Sequence, residues 1–331
     1  MRPRILAALA VTLTLLVSAA LYGAYGYRPP EASGYRPDLL RTSHFIDTPL
    51  ARFHYLRQGS GTPVVLLSPG ASWVYGWRHQ LPELARDHTV YVVDLPGQGF
   101  TSLKDRRFAW DLNGMTRAIG AFLDAMGIDR PALGGLSWSG GWALAYAQRY
   151  PDRVDSLLLL APSGASTRDT WVYEIMKYPV IGEIWNNMYY ADRSSSRAAL
   201  ERIHVHQEKV TEQDVDAFWA PGTFADNLES QYLLERGLDW RETIDAMPGT
   251  VTPALVVWGR QDTVNPVGQA RVFDRLMPGA QVHELDGCGH ALSTDCPQHV
   301  NRLFADFLAA RATDKGNQRG RGPQRPELRA R

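Results

Sequence analysis

The segment Gly135–Gly141, GLSWSGG, has the residue types of a serine nucleophile in a tight turn. Such a serine must stand clear of its backbone, within reach of a base and of donors for an oxyanion. A sharp turn from a strand into a helix achieves this when its neighbours are small. An apolar strand precedes Ser137 and a helical pattern begins at Trp138, whereas the Gly-x-Ser sequences at Ser72 and Ser166 lack this context. Ser137 is therefore the candidate nucleophile, and a structural turn serine is the alternative from this segment alone.

Two further polar residues follow apolar strands near the end of the sequence. Asp262 comes shortly after a strand-like run that ends at Trp258, and the next such run ends at Leu285, before His290. Sites in parallel α/β sheets gather at the carboxyl ends of strands, and the order Ser, Asp, His is that of α/β-hydrolase triads. The sequence therefore predicts a triad in which His290 is the base for Ser137 and Asp262 holds its imidazole.

Strand-like and helix-like segments alternate around these residues. Strands are predicted at 44–47, 51–57, 63–68, 89–95, 131–136, 154–160, 253–258 and 281–285, and helices at 77–86, 109–126, 138–150, 267–277 and 297–310. Continuous apolar strands separated by helices predict an α/β fold with a mostly parallel sheet covered on both faces. Residues 163–250 lack such strands and are rich in aromatic residues, which predicts an inserted helical cap. Its aromatic side chains either line an apolar acyl pocket or simply pack the cap.

Two further motifs carry a family resemblance. Asp94–Ser102, DLPGQGFTS, and Tyr150–Val154, YPDRV, are similar to the turn after the fourth strand and to the link after the nucleophile helix in the α/β-hydrolase superfamily. Residues 42–310 resemble that superfamily of esterases, C–C hydrolases, peptidases and non-haem peroxidases, in its serine-hydrolase branch with a helical cap. The spacing from the YPDRV motif then favours Ser137 over Ser139 as the nucleophile.

The resemblance also implies an oxyanion hole, formed by the backbone N–H groups of Ala71 and Trp138. Three positions depart from the family's pattern. Ser139 stands where glycine is usual, Pro69 replaces a histidine ahead of the oxyanion loop, and Asp295 replaces a common glutamate. Serine is small enough for the turn, and the loss of the histidine removes a side chain that orders the loop but no backbone donor.

The two cysteines of the sequence, Cys288 and Cys296, flank His290. In an exported domain they can form a disulfide that closes a short loop around the base; two separate buried thiols are the alternative. No CxxC pair is present, and His204 and His206 have no evident further ligands nearby. We therefore expect no metal site, and both histidines at the surface.

The N-terminus predicts a membrane segment within residues 1–26. Arg2 and Arg4 precede an uncharged, mostly apolar run, Ile5–Tyr25, which is long enough to cross a bilayer as one helix. Basic residues ahead of it favour a cytoplasmic N-terminus, so the rest of the chain is expected outside the cytoplasm. The alternative is a signal peptide cleaved near Ala20, which would release a secreted or periplasmic protein.

The remaining boundaries follow from composition. Residues 27–41 contain three prolines and a glycine and are predicted to be a linker. Residues 42–162 and 251–311 form the predicted α/β-hydrolase core, interrupted by the cap. Residues 312–331 are basic and contain almost no large apolar residue, which predicts a disordered tail.

Composition and site together predict an enzyme without a cofactor. The 331 residues have a formal net charge of zero, so bulk charge indicates no nucleic-acid partner. The expected reaction is hydrolysis of a carboxylic ester or a related acyl compound, with the small acyl substrate and the membrane as partners. The oligomeric state and the natural substrate stay open.

Two alternatives come with that prediction. One is a prolyl aminopeptidase-like peptidase, which Ala143–Gln148 resembles although the His-Gly-Gly-Pro-Gly segment of that branch is absent. The other is a ligand-binding protein that retains the fold without turnover. Haloalkane dehalogenases and epoxide hydrolases use an aspartate nucleophile, so Ser137 argues against both.

Overall fold

The computed structural model describes residues 3–105, 107–167 and 171–320. Its strands form one sheet in the order β1-β2-β4-β3-β6-β7-β8-β9, with β5 paired to β2. They are β1 (His44–Asp47), β2 (Ala51–Gln58), β3 (Thr62–Leu67), β4 (His88–Val93), β5 (Ser102–Leu103), β6 (Ala132–Leu136), β7 (Ser156–Leu160), β8 (Ala254–Gly259) and β9 (Ala280–Leu285). Strands β3, β4 and β6 to β9 are parallel, and β2 joins β1, β4 and β5 antiparallel. The mostly parallel sheet is the predicted one.

The helices cover this sheet and fill its connections. They are α1 (Pro3–Leu21), α2 (Leu81–Leu84), α3 (Leu112–Ala125), α4 (Trp138–Arg149), α5 (Trp171–Met176), α6 (Ile181–Trp185), α7 (Arg193–Ile203), α8 (Glu212–Gly222), α9 (Ala225–Gly237), α10 (Arg241–Ala246), α11 (Ala270–Leu276), α12 (Leu292–Asp295) and α13 (Pro297–Gly320). Strands β7 and β8 are buried along their whole length, because parallel strands with helices on both faces have no side open to water.

Between β7 and β8 the described residues form the helices α5 to α10, and we call residues 163–250 the helical insertion. Hydrogen bonds fasten it to the core. The Trp73 indole donates to the Ala217 carbonyl at 2.8 Å, the Arg78 guanidinium lies 2.7 Å from the Asp214 carboxylate, and the Ser230 hydroxyl lies 3.1 Å from the Gly97 carbonyl. The insertion therefore packs over the loops that follow β3 and β4.

The N-terminal helix stands apart from this core. Its large apolar side chains are exposed, and Pro3–Gly26 is the one helix among the described residues that is long and apolar enough to cross a membrane. It ends in a π-helical turn, Tyr22–Gly26, that packs on α6. The Asn187 side chain donates there to the carbonyl oxygens of Gly23 and Ala24, at 3.2 and 3.0 Å. The membrane candidate is thus joined directly to the helical insertion.

Two segments differ from the sequence-based expectation. Tyr35, Leu39 and Leu40, within the predicted linker, pack against the core, so its apolar side chains dock rather than remain in solvent. Helix α13 continues to Gly320, beyond the predicted start of the tail at residue 312. Alanine and arginine favour helix there, and Arg311 lies 3.4 Å from Asp314 one turn later. Residues 321–331 of the predicted tail lie outside the described part of the chain.

Candidate active site

Ser137 occupies the turn between β6 and α4. Its φ is 60°, a conformation that costs energy for a residue other than glycine. Backbone hydrogen bonds hold it: the Ser137 N–H donates to the Leu160 carbonyl at 3.0 Å, and the Ser137 carbonyl accepts from the N–H of Gly141 and of Ser163. A Cβ atom on Gly135 would lie 2.3 Å from the backbone of Ser139. The turn therefore closes only because glycine stands there, as a nucleophile turn requires.

Ser139 has a different environment from Ser137. It is completely buried, and its Oγ accepts from the Leu136 N–H at 3.0 Å and lies 3.0 Å from the Leu136 carbonyl. A second carbonyl, that of Leu67, lies 3.3 Å away. A glycine here would leave that N–H without this acceptor. The buried Ser139 hydroxyl therefore stabilises the turn through hydrogen bonds to its backbone, whereas Ser137 lines a cavity.

His290 and Asp262 form a hydrogen-bonded pair at the ends of neighbouring strands. The His290 Nδ1 lies 2.7 Å from the Asp262 Oδ2, and both side chains are almost fully buried. The other carboxylate oxygen, Oδ1, accepts from the N–H groups of Val264 and Asn265, each at 2.8 Å. These bonds orient the carboxylate toward the imidazole. With Nδ1–H donating to Asp262, the Nε2 atom of His290 is left to accept a proton.

Ser137 and His290 line a common cavity of about 290 Å³, close to the lower end of the range for ligand pockets. Ala71 and Trp138 line it too. Trp138 is the first residue of α4, so its N–H has no acceptor within the helix. A Cβ atom on Gly70 would lie 3.0 Å from the Trp138 side chain, so the loop that carries Ala71 touches the start of α4. The structure thus brings all the sequence-predicted site residues to one region.

Two buried residues hold the loop that carries Ala71, and sequence reasoning assigned neither a role. The Gln98 amide donates to the carbonyls of Ser68 and Pro69, at 3.0 and 2.7 Å. The Asp94 carboxylate accepts from the Ser68 hydroxyl at 2.6 Å and from the Val74 N–H at 2.8 Å. The one available signal was their place in the motif Asp94–Ser102. These bonds order the loop ahead of Ala71, where Pro69 replaces the family's usual histidine.

The loop around His290 is held in two ways. Cys288 and Cys296 are joined by a disulfide, with Cα atoms 5.9 Å apart. The buried Asp295 carboxylate accepts from the Gly289 N–H at 2.7 Å. It also accepts from the N–H groups of Val205 and His206, both at 3.0 Å. Asp295 therefore connects the loop of His290 to the helical insertion, a role that the sequence did not reveal.

The expectation that His204 lies at the surface is wrong. Its ring is buried, with Nδ1 2.8 Å from the Leu200 carbonyl and Nε2 2.8 Å from the Thr294 hydroxyl. Burial lowers the pKa of His204 below its ordinary value, since the charged form loses its hydration. His206 is half-exposed. Within the described residues no group of three or more His, Cys, Asp or Glu side chains is arranged to hold a metal ion.

The helical insertion supplies the far wall of the cavity. That wall is mostly aromatic and apolar, and it contains one cation and one carboxylate; the side chains include Tyr173, Tyr190, Arg202, Phe218, Glu235 and Trp240. Burial raises the pKa of the Tyr190 and Tyr173 hydroxyls, which keeps both neutral. The Arg202 guanidinium lies 3.4 Å from the Tyr173 hydroxyl. The cavity therefore suits an apolar substrate with a small polar portion.

Comparison with known proteins agrees with this architecture. A curated relative, the 2-hydroxy-6-oxo-2,4-heptadienoate hydrolase of Pseudomonas putida, is 29% identical over 265 residues, which cover 76% of this chain and 91% of that protein. Among solved structures, a meta-cleavage product hydrolase from Pseudomonas fluorescens IP01 has a TM-score of 0.72 at 23% identity, and it covers 82% of this chain and 99% of its own.

A second solved structure extends further over the chain. It is a membrane phospholipase A, described as a bacterial virulence factor, with a TM-score of 0.70 at 20% identity; the match covers 93% of this chain and 99% of that one. At such identities the two structures support the fold alone. The model of the family described as having the α/β-hydrolase fold matches residues 62–295, well over half of the sequence. The chain therefore belongs to the α/β-hydrolase family.

Proposed function

We propose that the protein is a serine hydrolase that cleaves carboxylic esters through Ser137, His290 and Asp262. The observation that carries the proposal is the buried pair of His290 and Asp262, 2.7 Å apart, on the cavity that Ser137 also lines. The fixed Asp262 carboxylate selects the imidazole tautomer whose Nε2 accepts a proton. A serine in a strained turn, a base of this tautomer and a cavity of ligand size are the parts that acyl transfer requires.

The proposed reaction has two stages. The Ser137 Oγ attacks the carbonyl carbon of the ester while the Nε2 atom of His290 takes the hydroxyl proton. The oxyanion accepts from the N–H groups of Ala71 and Trp138. The intermediate then collapses, and the alcohol leaves with the proton from His290. Water attacks the acyl-enzyme in the same way, the acid leaves, and Ser137 regains its proton.

Fluorophosphonate labelling tests the nucleophile. We expect the wild-type chain to be labelled at Ser137 and the Ser137→Ala variant to be unlabelled. Asp262→Asn should lower ester turnover by about 10⁴-fold, since the amide favours the wrong imidazole tautomer. Absence of labelling in the folded wild type would favour the alternative of a ligand-binding protein without turnover. Labelling at another serine would refute the assignment.

The curated relative favours a second candidate, hydrolysis of a C–C bond in a 2-hydroxy-6-oxo dienoate. Both candidates use the same nucleophile turn, so a substrate screen must separate them. The screen contains esters graded by acyl length, the dienoate and a proline arylamide. We expect turnover of esters. Turnover of the dienoate alone would favour the C–C hydrolase, and turnover of the arylamide alone a prolyl aminopeptidase-like enzyme.

We also propose that Pro3–Gly26 anchors the protein in a membrane, with the catalytic domain outside the cytoplasm. The exposed apolar surface of α1 and the basic residues ahead of its apolar run, Arg2 and Arg4, support this arrangement. Protease added to spheroplasts should digest the domain. Protection would reverse the orientation. A mature N-terminus near Ala20 would mean that the segment is a cleaved signal peptide.

A further inference from the structure

Exposed apolar side chains concentrate on one part of the helical insertion. Among the described residues outside the N-terminal helix, more than half of the exposed large apolar side chains lie between positions 171 and 188. These are Trp171, Ile175, Tyr178, Ile181 and Met188, and we call them the outer patch. Trp171 is 76% exposed and Tyr178 63% exposed. Concentrations of exposed apolar side chains mark contacts with a membrane or with another protein.

The outer patch is continuous with the candidate membrane helix. A Cβ atom on Gly23 would lie 3.5 Å from Ile184 and 3.9 Å from the Met188 sulfur. The amide of Asn187, next to Met188 in sequence, donates to the last carbonyls of the helix. Helix α6 therefore packs, near its C-terminal end, where the helix Pro3–Gly26 would leave the bilayer. If this helix spans the bilayer, the outer patch is kept close to the membrane surface, because the helix and the patch belong to one chain.

The composition of the outer patch suits the boundary between water and lipid. Tryptophan and tyrosine prefer the headgroup level, where one end of the ring is in contact with lipid and the other with water. Arg28 comes two residues after the N-terminal helix, and its charge acts on the Glu183 carboxylate of α6; a basic residue at this place is attracted to anionic lipids. Helices α5 and α6, of six and five residues, are far too short to cross a bilayer.

The same stretch of chain also borders the candidate active site. Tyr173 lies on α5 between Trp171 and Ile175, and Tyr190 follows Met188 by two residues; both line the cavity that contains Ser137. Exposed apolar side chains and cavity-lining side chains thus alternate along this stretch. The outer patch and the cavity wall are therefore built from the same segment of the helical insertion.

We infer that the outer patch docks on the bilayer that holds the N-terminal helix, and that the substrate is an acyl ester of a lipid in that leaflet. The inference rests on the proposed ester hydrolase and names its substrate class. The mostly aromatic and apolar cavity wall fits an acyl chain better than a charged soluble metabolite. Both the covalent link to the N-terminal helix and the exposed aromatic residues favour the bilayer as the surface that covers the outer patch.

The test uses the full chain in vesicles of phosphatidylethanolamine and phosphatidylglycerol with a small fraction of diacylglycerol. Two activities are measured: release of fatty acid from the vesicle lipids, and hydrolysis of water-soluble p-nitrophenyl butyrate. The variant Trp171→Gln with Tyr178→Gln should lose about tenfold or more of the lipid hydrolysis. Its hydrolysis of the soluble ester should stay within about twofold of wild type, because neither side chain lines the cavity.

A matched control is Tyr150→Gln with Val251→Gln, two exposed apolar side chains outside the outer patch. We expect both activities to stay at the wild-type level in this control. Equal lipid hydrolysis by the patch variant and wild type would overturn the docking surface. Wild type that cleaves the soluble ester but releases no fatty acid would overturn the lipid substrate. Wild type inactive on both would instead refute the proposed ester hydrolase.

A measurement independent of turnover tests the docking alone. Lipids brominated near the headgroup quench tryptophan fluorescence at the interface, and the contribution of Trp171 is the difference between wild type and Trp171→Phe. We expect Trp171 to account for a large part of the quenching. The same quenching in both proteins would overturn the docking surface, whatever the activities.

Discussion

The two serines of the GLSWSGG turn have different surroundings, and these separate the proposed nucleophile from a structural hydroxyl. Ser137 lines the cavity, whereas the hydroxyl of Ser139 is bonded to the backbone around Leu136. Both have the same chemistry, and the sequence favours Ser137 through its place between a strand and a helix and through its spacing from Tyr150–Val154. The difference lies in which atoms surround each hydroxyl.

We predict opposite effects for the two alanine variants. Ser139→Ala should lower the free energy of unfolding by about 1–3 kcal/mol, because the buried Leu136 N–H loses its acceptor. Its ester hydrolysis should remain within about tenfold of wild type. Ser137→Ala should abolish hydrolysis without comparable destabilisation. Thermal unfolding and p-nitrophenyl butyrate assays check both, and an inactive but stable Ser139→Ala protein would contradict the assignment.

At the scale of elements, the loop that carries Ala71, the proposed oxyanion donor, depends on partners from another loop. Gln98 holds the carbonyls of Ser68 and Pro69 just ahead of Ala71. We predict that Gln98→Ala lowers kcat by about 10- to 100-fold with KM nearly unchanged, short of the loss of a whole oxyanion donor. Asn301→Ala removes a similar bond to a carbonyl, that of His79, at the surface and should leave kcat unchanged.

Steady-state kinetics on a soluble ester separate kcat from KM. An increase of KM alone in Gln98→Ala would mean that this residue shapes the substrate pocket rather than the position of the oxyanion donors.

Buried His204 links α7 to α12 and makes stability depend on pH. Its pKa lies below the value of 6.5 that an unperturbed histidine has. As pH falls through about 6.5, the unfolded chain takes up a proton that the folded chain resists. We therefore predict that the free energy of unfolding decreases from neutral toward acidic pH. The decrease should be smaller in His204→Gln; denaturant titrations at several pH values that gave the same slope for both proteins would contradict this.

These cases show where sequence reasoning succeeds. Continuous apolar runs such as Leu157–Leu160 indicate a strand that is buried on both faces. For this reason most predicted strands begin and end within one or two residues of the observed strands. The triad candidates were accessible because they follow such strands. Hydrogen bonds between residues that are distant in sequence leave no pattern in the sequence around either residue. Examples are the bonds of Asp295 with Val205 and of Asn187 with Gly23. His204 stands between Ile203 and Val205 in a mostly polar stretch, and its contacts with Leu200 and Thr294 in the folded chain accompany its burial.

At the scale of the whole molecule, the disulfide and the proposed topology depend on each other. Cys288 and Cys296 are buried on either side of His290, and disulfides persist in oxidising compartments. We predict that non-reducing mass spectrometry of the exported protein shows the bridge. Two thiols that can be alkylated after denaturation would contradict it. Cys296→Ser should lower the free energy of unfolding by about 2–3 kcal/mol, the range for a short loop in the chain-entropy model.

In the proposed membrane-anchored form, the length of the N-terminal helix has a consequence for the orientation of the whole protein. Its 24 residues span about 36 Å at 1.5 Å per residue, whereas the hydrocarbon core of a bilayer is about 30 Å thick. A helix of excess length tilts to keep its apolar surface in lipid. Because Asn187 fixes the last turn to the helical insertion, the domain must turn with the helix. The thickness of the surrounding bilayer would then set the angle between the catalytic domain and the membrane plane.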